Sequence, residues 1–83
     1  MSKFQTKIIK EYEAKGYFVI DLILTNKKGI ADLLCLKEGE TPLFIECKEV
    51  NDTVKPLQLY RQKELINRGF RSIILKDSNK INI

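Results

Sequence analysis

Histidine and tryptophan are absent from this chain of 83 residues, and cysteine and proline occur only twice each. The lack of histidine removes the commonest general base and every nucleophile pair that depends on an imidazole. Two cysteines without histidine also argue against a structural zinc site. Any hydrolytic chemistry in this chain must therefore use carboxylates, lysine and a bound metal ion.

Long apolar runs are missing as well. No segment reaches the length of a membrane span, and residues 1–5 lack the apolar core of a signal peptide, which predicts a cytoplasmic protein without a membrane partner. An apolar fraction of 43% is typical of globular chains rather than disordered ones. At this length the sequence predicts a single domain over residues 1–83.

The two cysteines, Cys35 and Cys47, lie in apolar runs typical of strands. A disulfide between neighbouring strands is one interpretation. Two buried reduced thiols are the favoured one, since free cysteine is commonly buried and cytosolic disulfides are rare.

Apolar periodicity and the positions of glycine and proline predict the order helix, three strands, helix, strand. The predicted helices cover 3–15 and 56–68, the second capped by Asp52 or Thr53, and the predicted strands cover 17–24, 30–36, 43–48 and 70–75, with a short fifth at 80–83. Short turns predict an antiparallel meander for the first three strands, and the helical crossover permits a parallel fourth. The fold class is therefore α/β of the α+β kind, with a mixed central sheet flanked by helices.

Two carboxylates interrupt apolar strands, Asp32 in the second and Glu46 in the third. Acids in such runs are usually paired or hold a metal. A hairpin centred on Gly39 places Asp32 directly opposite Glu46, with Cβ atoms about 5 Å apart. At an effective dielectric of about 20 the two charges would repel by roughly 3 kcal/mol. A divalent cation such as Mg²⁺ or Mn²⁺ between them would convert that repulsion into a binding site.

Lys48 lies on the same strand face as Glu46, because strand side chains alternate with a period of two. Its ammonium can stabilise charge on a scissile phosphate or orient the attacking water. On the second helix, Leu59, Leu65 and Ile66 are expected to bound the inward face, with Gln58 and Gln62 between them. Glutamines in such a position need partners.

These residues, taken in order, resemble the PD-(D/E)XK nuclease superfamily and within it the VRR-NUC domain. The resemblance rests on Gly29-Ile30-Ala31-Asp32, then Glu46-Cys47-Lys48, then Lys55-Pro56-Leu57-Gln58, and it extends from Gln5 to Leu75. It implies a restriction-endonuclease-like αβββαβ core and a metal-dependent nuclease. Asp32, Glu46 and the main-chain carbonyl of Cys47 would bind Mg²⁺ or Mn²⁺, Lys48 would be catalytic, and Gln58 would support the site.

The resemblance also implies an endonuclease similar to Holliday-junction resolvases, acting on branched DNA as a homodimer in a bacterial or virus-infected cell. A helicase or another replication or repair protein stays open as a partner. Two departures stand out. Ala31 replaces a proline, and Met1 or Ser2 occupies the region where an early glutamate often precedes the helix glutamine, here Gln5.

Several assignments stay open in the sequence. Glu11 and Glu13 are the candidates to replace the missing glutamate, and Asp21 is a candidate to join the site, since a turn centred near Asn26 would bring it towards Asp32. Gln5 is expected to support the site by a hydrogen bond or to make a simple capping contact. The net charge of +4 is compatible with nucleic acid, and the candidate phosphate contacts are Lys27, Lys28, Lys55 and Arg61.

Less specific interpretations exist for the same residues. Asp32 alone could pair with Lys27 or Lys28, and Glu46 with Lys48 could form a solvated strand face. The alternatives to an endonuclease are a non-catalytic nucleic-acid-binding module that retains the nuclease fold, or a small structural protein with a fortuitous acidic pair.

Overall fold

Four strands form one mixed sheet flanked by two helices in the computed structural model, which describes residues 2–78. The elements are α1 (Lys3–Ala14), β1 (Phe18–Asp21), β2 (Leu33–Leu36), β3 (Leu43–Lys48), α2 (Pro56–Asn67) and β4 (Arg71–Lys76). The predicted element order and fold class are confirmed. The fifth strand predicted at 80–83 lies outside the described residues.

The sheet has the strand order β1-β2-β3-β4. The first three strands pair antiparallel, and β4 pairs parallel to β3 after the crossover through α2. The predicted meander and parallel fourth strand are therefore both present. This topology makes β3 a central strand, hydrogen-bonded to β2 on one side and to β4 on the other.

The hydrophobic core lies between α1 and one face of the sheet. Alternate residues of β2 and β3 project towards the helix, as the pleat of a strand requires. The core consists of Phe4 and Ile8 from α1 and of Leu33, Cys35, Leu43 and Ile45 from the sheet. At the start of α1, the Ser2 side chain accepts a hydrogen bond from the Gln5 amide at 3.0 Å, a stabilising N-cap.

The other face of the sheet packs against α2, and this packing differs from the prediction. No residue of α2 is fully buried, and Leu59 and Ile66 are 44% and 51% exposed. Leu59 and Ile66 are therefore not on the inward face, whereas Leu65 is less exposed and lines a small cavity together with Gln58, Gln62 and Glu46. Gln62 Nε2 donates to the Ser72 carbonyl at 3.0 Å. Among the described residues, neither helix has the length and apolarity needed to cross a bilayer.

The segment between β1 and β2 departs furthest from the predicted strands. β1 ends at Asp21 and β2 begins at Leu33, so residues 22–32 form an irregular connection. Ile23 and Leu24 are 82% and 94% exposed. A turn closed by the Ile30 amide on the Lys27 carbonyl carries the chain away from the sheet. The sequence prediction extended both strands into this segment because its apolar residues are typical of strands.

The β2–β3 hairpin has the predicted register. Leu33 pairs with Ile45 and Cys35 with Leu43, which centres the hairpin on Gly39. Gly39 has a φ of +81°, a conformation that glycine adopts without strain. Cys35 and Cys47 are both free cysteines; Cys35 is buried as the favoured interpretation expected, whereas Cys47 is only half-buried.

Candidate active site

Asp32 and Glu46 face each other at the end of the β2–β3 ladder. The pairing of Leu33 with Ile45 sets Asp32, the residue before β2, against Glu46 of β3. Asp32 Oδ2 accepts a hydrogen bond from the Cys47 amide at 2.8 Å, which fixes the carboxylate against the β3 backbone. The hairpin therefore brings together the two acids singled out in the sequence.

Glu46 and Lys48 form a buried ion pair on β3. The two residues are 7% and 5% exposed, and Lys48 Nζ lies 3.3 Å from Glu46 Oε2. The Glu46 carboxylate compensates the charge of the Lys48 ammonium, which would be costly to bury alone. The alternative of a solvated strand face for these two residues is wrong.

Gln58 connects this pair to the start of α2. Its Nε2 donates to Glu46 Oε2 at 3.0 Å, and its Oε1 accepts from the Lys55 amide at 2.9 Å. The second bond satisfies an amide at the helix start, where no intrahelical partner exists. Lys55, rather than the predicted Asp52 or Thr53, is the N-cap residue of α2.

The electrostatics of the pair are dominated by burial. Burial raises the pKa of Glu46 above its usual range, and the nearby Asp32 carboxylate raises it further, while Lys48 opposes both effects. Such a carboxylate retains its charge at neutral pH only with cationic or hydrogen-bonding partners. Perturbed acids with a specific charged partner are common at functional sites.

A second group of polar residues lies on the other side of Asp32. An open hollow of about 280 Å³ is lined by Gln5, Asp21, Leu22, Ile23 and Asp32. Gln5 Nε2 donates to Asp21 Oδ1 at 3.3 Å, which ties α1 to the end of β1. Asp21 Oδ2 is buried and finds no hydrogen-bond partner within residues 2–78. Of the three acids left open by the sequence, Asp21 reaches this hollow, whereas Glu11 and Glu13 are exposed on α1.

Cys47 lies between Glu46 and Lys48 on β3, and its amide also binds Asp32. Burial raises the pKa of its thiol to about 12, and the Asp32 and Glu46 carboxylates contribute. At neutral pH the side chain is therefore a protonated thiol and a poor nucleophile. Its N–H binds Asp32, and a role for its main-chain carbonyl in metal binding stays a prediction.

The four candidate phosphate contacts divide into two groups. Lys27, Lys28 and Lys55 are exposed. Arg61 is instead engaged within the protein: its Nε donates to the Lys28 carbonyl at 2.8 Å, and its Nη1 lies 2.9 Å from Glu64 Oε1. Neither Lys27 nor Lys28 forms a salt bridge with Asp32 within residues 2–78, so that alternative pairing is absent there.

Two contacts that position the site were missed in the sequence. One is the bond from Arg61 to the Lys28 carbonyl. The other is the close approach of Gly29 to Leu57, where a Cβ atom would lie 2.6 Å from Leu57 Cγ. Both tie the β1–β2 connection to α2. The Lys-Lys-Gly turn in the sequence predicts the positive φ of Gly29, +80°. Nothing in the sequence predicts that Leu57 of α2 packs against it.

The oxygen donors at the site suit a hard divalent cation. Asp21, Asp32 and Glu46 offer carboxylate oxygens, the ligands that Mg²⁺ and Mn²⁺ prefer. Within residues 2–78, no three acids, cysteines or histidines are close enough to form a ready-made metal centre. The buried Oδ2 of Asp21 lacks a hydrogen-bond partner among the described residues, and Mg²⁺ characteristically combines one or two carboxylates with several waters. The residues therefore fit a hydrated divalent ion.

Comparison with known proteins yields a structural likeness. No protein-family model matches the sequence, and no curated protein matches it significantly. A solved structure described as a VRR_NUC domain superposes with a TM-score of 0.78 at 25% sequence identity. The match covers 90% of this chain and 82% of that one. The likeness supports a domain of the nuclease type.

Proposed function

We propose that this chain, a VRR-NUC domain by its fold, is a metal-dependent endonuclease that hydrolyses phosphodiester bonds of branched DNA. The observation that carries the proposal is the position of Asp32 opposite Glu46, with Lys48 Nζ 3.3 Å from the Glu46 carboxylate. Two acids and a lysine at one strand end can support phosphodiester hydrolysis without histidine.

Asp32 and Glu46 would hold the cation, together with the main-chain carbonyl of Cys47. Bound Mg²⁺ or Mn²⁺ would lower the pKa of a coordinated water and neutralise charge on the phosphate. Asp32 is already oriented by the Cys47 amide, and Glu46 by Gln58. Such pre-orientation reduces the reorganisation needed when substrate binds.

Lys48 would stabilise negative charge on the scissile phosphate. An ammonium has three donors, so Lys48 can bind the Glu46 carboxylate and a phosphate oxygen together. Its burial excludes water from around the charge and strengthens that interaction. Gln58 is a positioning residue in this scheme, because it acts through Glu46.

The proposed substrate is DNA recognised by shape and charge. Lys27 and Lys28 are exposed on the connection that leads to Asp32, where they can contact phosphates beside the site. A domain this small covers little of a DNA branch. We therefore include a homodimer in the proposal, since two-fold symmetry presents two sites to two strands.

The test is cleavage of labelled four-way junction, flap, single-stranded and duplex DNA with Mg²⁺, Mn²⁺ or chelator. Metal-dependent cleavage of the branched substrates is expected from the wild type. We expect its loss, by at least 100-fold, in Glu46→Gln and in Lys48→Met. Glu38→Gln and Lys63→Met change the same charges at exposed positions and should cleave normally.

Other results would overturn the proposal in different ways. Binding of the junction without cleavage under any metal condition would favour a non-catalytic module. Cleavage at the wild-type rate by both site variants would show that Glu46 and Lys48 of β3 are not catalytic. Paired nicks placed symmetrically about the junction would support the homodimer, and single nicks would count against it.

A further inference from the structure

The hollow beside Asp32 contains a second carboxylate that the scheme above does not use. Asp21 is the last residue of β1 and pairs in register with Leu33, the residue after Asp32. Both acids line the same hollow. The end of β1 and the residue before β2 therefore bring two carboxylates to one side of the candidate site, on the side away from the Glu46–Lys48 pair.

The two oxygens of Asp21 have different surroundings. Oδ1 accepts the bond from Gln5, but Oδ2 is buried and has no hydrogen-bond partner in the described part of the chain. A buried carboxylate oxygen without a partner is costly, and such atoms are rare in folded proteins. In addition, no lysine or arginine of residues 2–78 forms a salt bridge with Asp21 or Asp32. The structure thus contains an uncompensated anionic pair.

Several groups could satisfy Oδ2, and they differ in what they do to the charge. A water molecule would supply one hydrogen bond and leave both negative charges in place. A divalent cation would satisfy the oxygen and compensate both carboxylates. The hollow is open to solvent and large enough for an ion that keeps part of its hydration shell.

We infer that Asp21 is a third metal-binding carboxylate, which forms with Asp32 a cation position on the β1 side of the site. Gln5 is its positioning residue, because the bond from Nε2 holds Oδ1 and leaves Oδ2 for the ion. Asp32 would then contact cations on both sides, one shared with Asp21 and one shared with Glu46. This inference rests on the proposed function for its role in cleavage, although the ion binding can be measured alone.

The experiment is calorimetric titration of the protein with Mn²⁺ or Mg²⁺ in the absence of DNA. The proteins compared are the wild type, Asp21→Asn, Asp21→Ser and Glu38→Gln. We expect both Asp21 variants to lose one bound ion or to bind at least tenfold more weakly. Glu38→Gln removes the same charge from the exposed β2–β3 turn and should titrate like the wild type.

Thermal unfolding separates ion binding from a structural role. If Oδ2 is held for an ion, Asp21→Asn should melt no lower than the wild type in chelator and should lose the metal-induced rise in Tm. A lower Tm in chelator together with unchanged metal affinity would overturn the inference, because Asp21 would then serve the fold alone. Gln5→Leu should weaken ion binding less than Asp21→Asn does, and an effect as large as that of Asp21→Asn would contradict its positioning role.

The inference and the proposed function can fail separately. If Glu46→Gln abolishes cleavage while Asp21→Asn binds metal normally, the enzyme assignment stands and the Asp21 site is wrong. If the wild type cuts none of the DNA substrates but loses an ion upon Asp21→Asn, the ion site stands without the nuclease assignment.

Discussion

Glu46 is the residue in which the fold and the proposed chemistry meet. It is almost fully buried, carries a raised pKa, and shares one oxygen between Lys48 and Gln58. A buried charge of this kind lowers stability unless its partners compensate it. The same partners, Lys48 and Gln58, fix the orientation of the carboxylate in the proposed cation site. The proposed site therefore requires the burial of a charge that lowers the stability of the fold.

The raised pKa of Glu46 predicts a pH dependence of stability. Because the folded state binds this proton more tightly than the unfolded state, the contribution of Glu46 to the free energy of unfolding falls as pH rises from the ordinary glutamate pKa through the raised one. Urea unfolding of the wild type and Glu46→Gln across pH 4–8 would measure it. The wild type should lose stability relative to the variant as pH rises, and a pH-independent difference would contradict the assignment.

At the scale of elements, the connection between β1 and β2 is held by α2. Arg61 binds the Lys28 carbonyl, and Leu57 contacts Gly29. This contact places the chain just before Asp32 against the first turn of the helix that carries Gln58. The strand and helix parts of the candidate site are therefore set relative to each other at Gly29.

Gly29→Ala should accordingly destabilise the protein more than Gly39→Ala does. Both glycines have φ near +80°, so each variant incurs the left-handed backbone cost of about 1–2 kcal/mol. At Gly39 a Cβ meets nothing within 4 Å, whereas at Gly29 it meets Leu57, which adds about 1–3 kcal/mol of overpacking. Denaturant titration of both variants would measure the difference.

A matched rescue tests the cause of that difference. Shortening Leu57 in a Gly29→Ala/Leu57→Ala double variant should cost less than the sum of the single changes. Equal losses in Gly29→Ala and Gly39→Ala would show that Leu57 can move aside freely.

The same elements show what the sequence could and could not predict. The meander, the crossover and the opposition of Asp32 to Glu46 follow from period-two alternation and from the turn at Gly39, which are local signals. The ends of β1 and β2 were missed because Ile23 and Leu24 are apolar without being buried. The connection that contains them is held by Leu57 at Gly29 and by Arg61 at the Lys28 carbonyl. These partners lie about 30 residues away in the sequence, so local periodicity carries no signal of them. Asp21 stayed ambiguous for the same reason.

On the scale of the whole molecule, the buried apolar residues lie mainly between α1 and one sheet face. The opposite face carries Glu46, Lys48 and the glutamines of α2. One face thus stabilises the domain, and the other provides polar groups held by hydrogen bonds.

The net charge of +4 predicts salt-dependent DNA binding. In chelator, junction affinity should fall as salt rises, with a log–log slope proportional to the number of phosphate contacts. Lys27→Gln/Lys28→Gln should reduce the magnitude of that slope by about 2, one for each lysine. Lys63→Gln, an equally exposed change on α2, should leave the slope unaltered. Affinity measured from 50 to 300 mM salt would show whether the pair contributes, and identical slopes would exclude it.

The central position of β3 has a consequence for how such a domain can diversify. Glu46 and Lys48 project from a strand paired on both sides, and Asp32 is fixed to its backbone through the Cys47 amide. The exposed chain at 23–26 precedes the bond from Arg61 to the Lys28 carbonyl that anchors this connection. Insertions or replacements there would leave these three residues in place. Related domains could therefore differ in this one surface segment while keeping Asp32, Glu46 and Lys48 in the same arrangement.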